Sequence, residues 1–273
     1  MTILNYFSCM ISVCILGAGN VATHLYKAFF KADNIVVNQW FNRHLDSIEQ
    51  FKNQVELVDD LSLLKPADLY ILAVSDDAIK DVSQNLPFEN RFIVHTSGGL
   101  TLHEMDKKNS RGVFYPLQTF SKDFEVDFTQ VPICIEAEDK SKRGLLKQLA
   151  EGIGSKHYRV NGEQRNALHL AAVFANNFTN QLYRVAHEIT ESASVDFNIL
   201  KPLIKETAHK LDALSPYRAQ TGPAKRNDKK TIKKHLKLLD NPLHKDIYKL
   251  LTKAIQQTHG SSTRSTKPKS EKK

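Results

Sequence analysis

Cysteine is scarce in this chain. There are three in 273 residues: Cys9, Cys14 and Cys134. They form no Cys-x-x-Cys pair and no ligand cluster with the histidines. That argues against a disulfide framework or a structural zinc site and fits a reducing, cytoplasmic setting. No bound metal is expected. Long apolar runs are missing too: no stretch approaches the roughly 18 residues of a membrane span, so no membrane partner is expected. The apolar start MTILNYFSCM lacks the basic opening and cleavage pattern of a signal peptide. Strand-like residues follow directly on Met10, so Met10 reads as the natural start and residues 1–9 as an upstream extension. Acidic charge is in deficit, with a net charge of +8. Part of the excess is local. After His259 the chain reads GSSTRSTKPKSEKK, with no large apolar residue to offset the entropy of ordering, so residues 259–273 read as a disordered basic tail. A solubilising end of this kind needs no specific nucleic-acid partner.

What is present is an ordinary globular mix, 41% hydrophobic and 25% charged, in a chain long enough for two domains. Up to about residue 120, short apolar runs alternate with helical patterns. The runs are SVCILG, VVNQWF, VELV, LYILAV, FIVHTS and GVFYPL. Continuous apolar runs indicate strands buried on both faces, as in a parallel sheet. Their alternation with helices predicts an α/β, doubly wound, mostly parallel Rossmann sheet. VPICIEAE, a helix over 140–154 and KHYRV could close it. From Asn161 only helical patterns remain: one of some 30 residues opened by Asn161, a second over 196–211, a third capped by Asp228, and a fourth from Pro242. The expected plan is a nucleotide-binding domain over 10–155 and a mostly helical domain over 156–258.

Gly17-Ala18-Gly19-Asn20-Val21-Ala22 fits G-x-G-x-x-G/A, where the first glycine allows the turn, the second lets the backbone approach a pyrophosphate and the small third residue lets helix pack on strand. It follows the first strand and opens a helix, whose N–H groups and dipole suit a phosphate. The second strand ends in Asn42, Arg43 and His44, with no carboxylate for a ribose 2′-hydroxyl. Arg43 offers a planar, permanently charged fork for a 2′-phosphate instead, so NADP(H) is the expected cofactor. Ligands of open α/β sheets sit beyond the carboxyl ends of the strands. Those ends add Val74, Ser75, Asp76, Thr96 and Ser97, followed by Gly98-Gly99 and the stretch Tyr115 to Gln118. Val74 to Asp76 is equally a helix cap, and Ser97 to Gly99 equally a plain turn.

In the long helical pattern Arg165, His169, Asn176 and Asn180 are spaced four, seven and four apart, on one side of an α-helix. Such a stripe either lines a cleft or bonds neighbouring helices. His169 is the candidate acid/base, histidine being the side chain type suited to proton transfer near neutral pH. Asn176 and Ser97 are the other candidate catalytic groups. TGPAKRND is a turn that either caps the third helix through Asp228 or brings Thr221 and Arg226 to an anion. Lys229, Lys230, Lys233, Lys234 and Lys237 read as the solvated face of an amphipathic helix.

Taken in order, ILGAGNVATHL, AVSDDAI, HTSGGL, YPLQTFS, LHLAAVFANNF and TGPAKRND resemble bacterial Rossmann-like proteins with a C-terminal helical domain of unknown function. These are labelled NADP- or deazaflavin-coenzyme (F420)-dependent oxidoreductases, distant relatives of pyrroline-5-carboxylate reductase and the 6-phosphogluconate and 3-hydroxyisobutyrate dehydrogenases. The resemblance spans about residues 10–257. It implies hydride transfer to or from a small carbonyl, imine or hydroxyl substrate in an interdomain cleft, and a homodimer formed through the helical domain. Two positions depart from the relatives. Where the dehydrogenases carry a catalytic lysine before an Asn-Asn pair, this chain has Val173 before Asn176-Asn177. Where the close family is expected to have histidine before Pro-Leu-Gln, it has Tyr115. The missing lysine also suits a second reading, a non-catalytic NADP(H)-binding sensor or scaffold.

Overall fold

The computed structural model describes residues 10–259, so the expectations for residues 1–9 and for the tail beyond His259 lie outside the described residues. The eight strands are β1 Ile11–Leu16, β2 Ile35–Phe41, β3 Glu56–Val58, β4 Leu69–Leu72, β5 Phe92–His95, β6 Ser110–Pro116, β7 Ile133–Ala137 and β8 His157–Arg159. They form one sheet in the order β3-β2-β1-β4-β5-β6-β7-β8. Every pairing is parallel except β6 with β7. The central strands β4 and β5, apolar except for the final His95, are buried at all four positions. This is the expected doubly wound sheet. The runs VPICIEAE and KHYRV extend it past the antiparallel step.

Helices cover both faces. α1 (Asn20–Phe30) and α3 (Arg143–Gly152) bury Leu25, Phe29, Leu146 and Leu149 against Val13, Ile15, Ile71 and Phe114. α2 (Asp76–Gln84) sets Ile79 on the opposite face with Leu16, Leu72, Ile93 and Val113. Truncating any of these core side chains to alanine costs about 2–5 kcal/mol. The lone Trp40 is buried, stacks near Tyr26 and Phe51, and donates its indole N–H to the Gly17 carbonyl at 2.6 Å. The core of one face thus holds the nucleotide turn in place. Several crossovers are shorter than the sequence suggests. β2 reaches β3 through two three-residue 3-10 turns rather than a helix.

The helical part begins with α4 (Gly162–Ala172). Asn161 and Gln164 close a reciprocal capping box at its start, each side chain bonding the other's backbone N–H. The helical run of some 30 residues expected from here forms over 162–192, but its middle is not α-helical. A π turn spans Val173–Phe178, and α5 (Thr179–Ser192) follows. The remaining helices are α6 (Lys201–His209), α7 (Pro216–Ala219), α8 (Lys229–Leu238) and α9 (Pro242–His259). Asp228 caps α8 by accepting from the Thr231 N–H and hydroxyl, and the lysine face of α8 is exposed.

The chain divides into two compact units, the first running through Asn176 and the second from Asn177. β8 and α4 belong to the unit that holds the sheet. The second unit contributes only Ala224 to the buried hydrophobic residues among those described. Leu203, Leu238 and Leu250 there are each more than 60% exposed. No described helix is long and apolar enough to cross a membrane. Among the described residues no group of three or more histidine, cysteine, aspartate or glutamate side chains could hold a metal.

Candidate functional site

The first unit gathers the expected cofactor residues along the carboxyl edge of β2, β1, β4 and β5, which neighbour one another in that order. The turn after β1 is shaped by two glycines with different jobs. Gly17 has φ +112°, and a Cβ there would lie 2.3 Å from the Ala73 carbonyl oxygen, so the backbone just after β4 closes over it. Gly19 has ordinary φ of −74°, and nothing lies within 4 Å of where its Cβ would stand. That open space faces the start of α1. The helix has no side-chain cap there and no acidic residue in its first turn, so its leading N–H groups and dipole are left for an anion. Ala18 and Val21 pack on the core behind the turn. Asn20 donates its side-chain N–H to the Phe120 carbonyl at 2.8 Å, which ties the loop after β6 to this turn. These residues fit a dinucleotide pyrophosphate.

After β2, Asn42 donates to the His44 carbonyl at 2.6 Å and holds the turn that carries Arg43. Arg43 is exposed, and none of the described ion pairs involves it. After β4, Val74 packs on the core and Ser75 takes the N-cap position of α2 with extended backbone, yet its side chain makes no cap bond. Asp76 stands beside the loop after β5, its carboxylate 3.6 Å from where a Cβ on Gly99 would be.

That loop is itself tightly built. Thr96 is buried. The Ser97 hydroxyl oxygen accepts from the Gly99 and Leu100 N–H groups, which leaves only its own O–H to donate outward. His95 is buried; its Nδ1 accepts from the Ser97 N–H, and its Nε2 lies 3.3 Å from the Thr101 carbonyl. Burial, reinforced by the nearby Arg165 cation, pushes its pKa down to about 4, so the imidazole is neutral at physiological pH.

Beyond Ser97 the structure builds a pair that the sequence only hinted at. The Tyr115 hydroxyl at the end of β6 lies 3.2 Å from His169 Nδ1 on α4. Gly98 runs directly beneath: a Cβ there would come within 2.7 Å of His169 Nδ1 and 2.9 Å of the Tyr115 oxygen. His169 is exposed and Tyr115 half-buried. Burial pushes the Tyr115 hydroxyl up from its usual value, Cys134 adds to this and Arg165 opposes it, so Tyr115 stays protonated at neutral pH. A hydroxyl and an imidazole at this distance can pass a proton in either direction, depending on the tautomer.

The other stripe residues do not join this pair. Arg165 is fully buried and ion-pairs with Glu136 rather than lining a cleft. Asn176 is exposed inside the π turn. The four-seven-four spacing presumes an unbroken α-helix. A π turn takes in one extra residue, worth about 100° of rotation, so spacing across it no longer defines a common face. Glu136 had no signal beyond being the lone charge in the apolar run ICIEA.

A glycine turn of the dinucleotide type and a hydrogen-bonded Tyr115–His169 pair thus lie along one edge of a doubly wound, Rossmann-type sheet. Residues 12–99 match the family model described as NADP oxidoreductase coenzyme F420-dependent, and residues 131–255 match a domain of unknown function, DUF2520. A crystal structure described as a "putative NADP oxidoreductase" from Bacteroides fragilis is 37% identical and superposes with a TM-score of 0.83, covering 91% of this chain and 98% of that one. The chain belongs to this family, in which the NADP oxidoreductase domain precedes DUF2520. Two more distant structures share the fold. A 1-pyrroline-5-carboxylate reductase from Streptococcus pyogenes has 14% identity, TM-score 0.63 and coverage of 92% and 98%. A reductive aminase from Aspergillus terreus, in complex with NADPH and ethyl levulinate, has 14% identity, TM-score 0.67 and coverage of 93% and 96%. No curated protein matches the chain.

Proposed function

We propose that the protein is an NADP(H)-dependent oxidoreductase that moves hydride to or from a small carbonyl, imine or hydroxyl compound, with Tyr115 and His169 handling the proton. The observation that carries this reading is the Tyr115–His169 hydrogen bond above Gly98, on the strand edge that also bears the nucleotide turn. The Gly17–Asn20 turn would hold the pyrophosphate of the nucleotide, whose nicotinamide would supply or accept the hydride. In the reducing direction the substrate heteroatom then needs one proton. The Tyr115 O–H gives it, the His169 Nδ1–H passes to the tyrosine oxygen, and the exposed imidazole is reprotonated from water. The Ser97 O–H, whose oxygen already accepts from the Gly99 and Leu100 N–H groups, is assigned to orient the substrate oxygen or the nicotinamide amide. Asn176 is assigned the same orienting role on sequence alone.

Arg43 supports NADP(H) over NAD(H), because an unpaired exposed guanidinium can take a 2′-phosphate bidentately. Calorimetric titration of NADPH and NADH into wild type and Arg43→Ala tests this. NADPH should bind wild type more tightly, and Arg43→Ala should lose about 10- to 100-fold in NADPH affinity, the worth of hydrogen bonds to a charged group. NADH affinity should hold. Equal affinity of wild type for both nucleotides would refute the preference. A panel of carbonyl and imine compounds, read by loss of NADPH absorbance, tests turnover. NADPH binding without oxidation by any member would favour the sensor reading. A deazaflavin added as acceptor to the NADPH assay tests the other cofactor partnership.

We further propose a homodimer formed through the helical unit. The support is its near-total lack of buried hydrophobic side chains while Leu203, Leu238 and Leu250 stand exposed. Sedimentation equilibrium should give twice the chain mass. A monomer at micromolar concentration would count against it. The free, buried Cys14 and Cys134 suit a cytoplasmic location.

A further inference from the structure

Arg165 is the one fully buried arginine, lysine, aspartate or glutamate among the described residues. Its guanidinium ion-pairs with Glu136 on β7 and donates to the Leu100 carbonyl in the loop after β5, and its Nε is buried without a partner. Stability is a poor explanation for such a group. A buried ion pair replaced by well-packed apolar side chains is often as stable or more so, because desolvation offsets the Coulomb gain.

Its location offers a better one. The Thr96–Leu100 loop carries Ser97 and Gly98. β7 pairs with β6, which carries Tyr115. One helical turn beyond Arg165 on α4 stands His169. The register sets His95 opposite Val113, and Val113 opposite Glu136, so these three share a row on one face of the sheet, with Tyr115 two residues further on the same face. One side chain therefore fastens α4, which carries His169, to the loop that carries Gly98 and to β7, the strand paired with the β6 of Tyr115.

We propose that Arg165 is a positioning residue: held by Glu136 and the Leu100 carbonyl, it fixes where α4 stands above Gly98 and hence how closely His169 approaches the Tyr115 hydroxyl. The catalytic consequence rests on the functional reading above; the positioning does not. Arg165 also acts on the pair through charge. The groups facing Tyr115 are His169 and Arg165 from α4 and Cys134 from β7, with His95 on the neighbouring strand. Among them the Arg165 cation is the one that favours loss of the Tyr115 proton.

The test uses the full chain and needs no substrate. Histidine ring signals are followed by NMR with 15N-labelled histidine, the His169 signals being assigned by their loss in His169→Ala. In wild type, Tyr115→Phe should shift the His169 nitrogen and proton signals, because the hydrogen bond is removed. In an Arg165→Met background, Tyr115→Phe should leave them unmoved, and Arg165→Lys should restore part of the shift. An undiminished shift in Arg165→Met that binds NADPH as wild type does would overturn the proposal. If Arg165→Met fails to fold, Glu136→Gln takes its place with the same two outcomes. With a cyclic imine as probe, Arg165→Met should lower kcat by about 10- to 100-fold, the cost of misplacing a group by about 1 Å, while the KM for NADPH holds. A wild type that never oxidises NADPH would count against the functional reading alone, because the NMR comparison still decides the role of Arg165.

Discussion

Gly17→Ala should lower the melting temperature by about 10 °C, whereas Gly19→Ala, two residues away, should leave it within about 1 °C. Gly17 sits at φ +112°, where an L side chain is strained by about 1–3 kcal/mol, and its new methyl would press on backbone atoms of Ala73 at 2.3 and 2.8 Å. Backbone at the end of a buried strand cannot swing aside as a side-chain tip can. The loss should therefore be about 3 kcal/mol or more, with the turn displaced and NADPH binding lost along with it. Gly19 differs on both counts. Its φ is −74°, and its Cβ would enter open space, so the free protein tolerates the methyl. The methyl would occupy the room through which a pyrophosphate reaches the start of α1, so NADPH affinity should fall at least about 10-fold with no loss of stability. Differential scanning calorimetry and isothermal titration of the two variants separate the effects. Wild-type NADPH affinity in Gly19→Ala would mean that the phosphates do not lie against this turn.

The contrast between these glycines also marks how far a sequence can be read. The motif gives the first glycine to the turn and the second to the phosphate, but how severe the first requirement is depends on Ala73, just after β4 and far along the chain. The sheet was legible because parallel strands are buried on both faces, and ILAV or FIVH leaves no polar face for water. The capping box of Asn161 and Gln164 was half legible: Asn161 stood out as a cap, while Gln164 went unread. The π turn over Val173–Phe178 was not legible, since a change from i→i+4 to i→i+5 hydrogen bonding leaves no mark on composition. Arg165 bonds a neighbouring element, one of the two roles the stripe leaves open, but that element is a strand and not a helix. Its spacing from His169 correctly set the two on one side of α4, but only β7 explains why that side is buried, and Glu136 lies 29 residues away. The stripe singles out His169 and the departure from the expected histidine singles out Tyr115, but no spacing in the sequence joins the two. Neither residue alone indicated the pair that the fold assembles.

Tyr115→Phe and His169→Ala should each lower kcat by about 100-fold with NADPH and a responsive carbonyl or imine, within the range general acid catalysis contributes and equivalent to about 2.7 kcal/mol of barrier. Neither change should disturb nucleotide binding, since neither residue lies on the Gly17–Asn20 turn. The double variant should be little worse than either single one. If the hydroxyl delivers the proton and the imidazole replaces it, removing either breaks the same relay, and groups that act as a unit are strongly non-additive. Fully additive losses, about 10,000-fold in the double variant, would mean that the two act separately, for example with His169 protonating the substrate directly. The pH profile separates these cases further. Burial shifts the Tyr115 ionisation above the usual tyrosine value, so the reduction left in His169→Ala, where the hydroxyl is the remaining acid, should decline only above the ordinary tyrosine range. A His169→Ala rate equal to that of wild type across the pH range would remove the imidazole from the relay and leave Tyr115 as the lone acid.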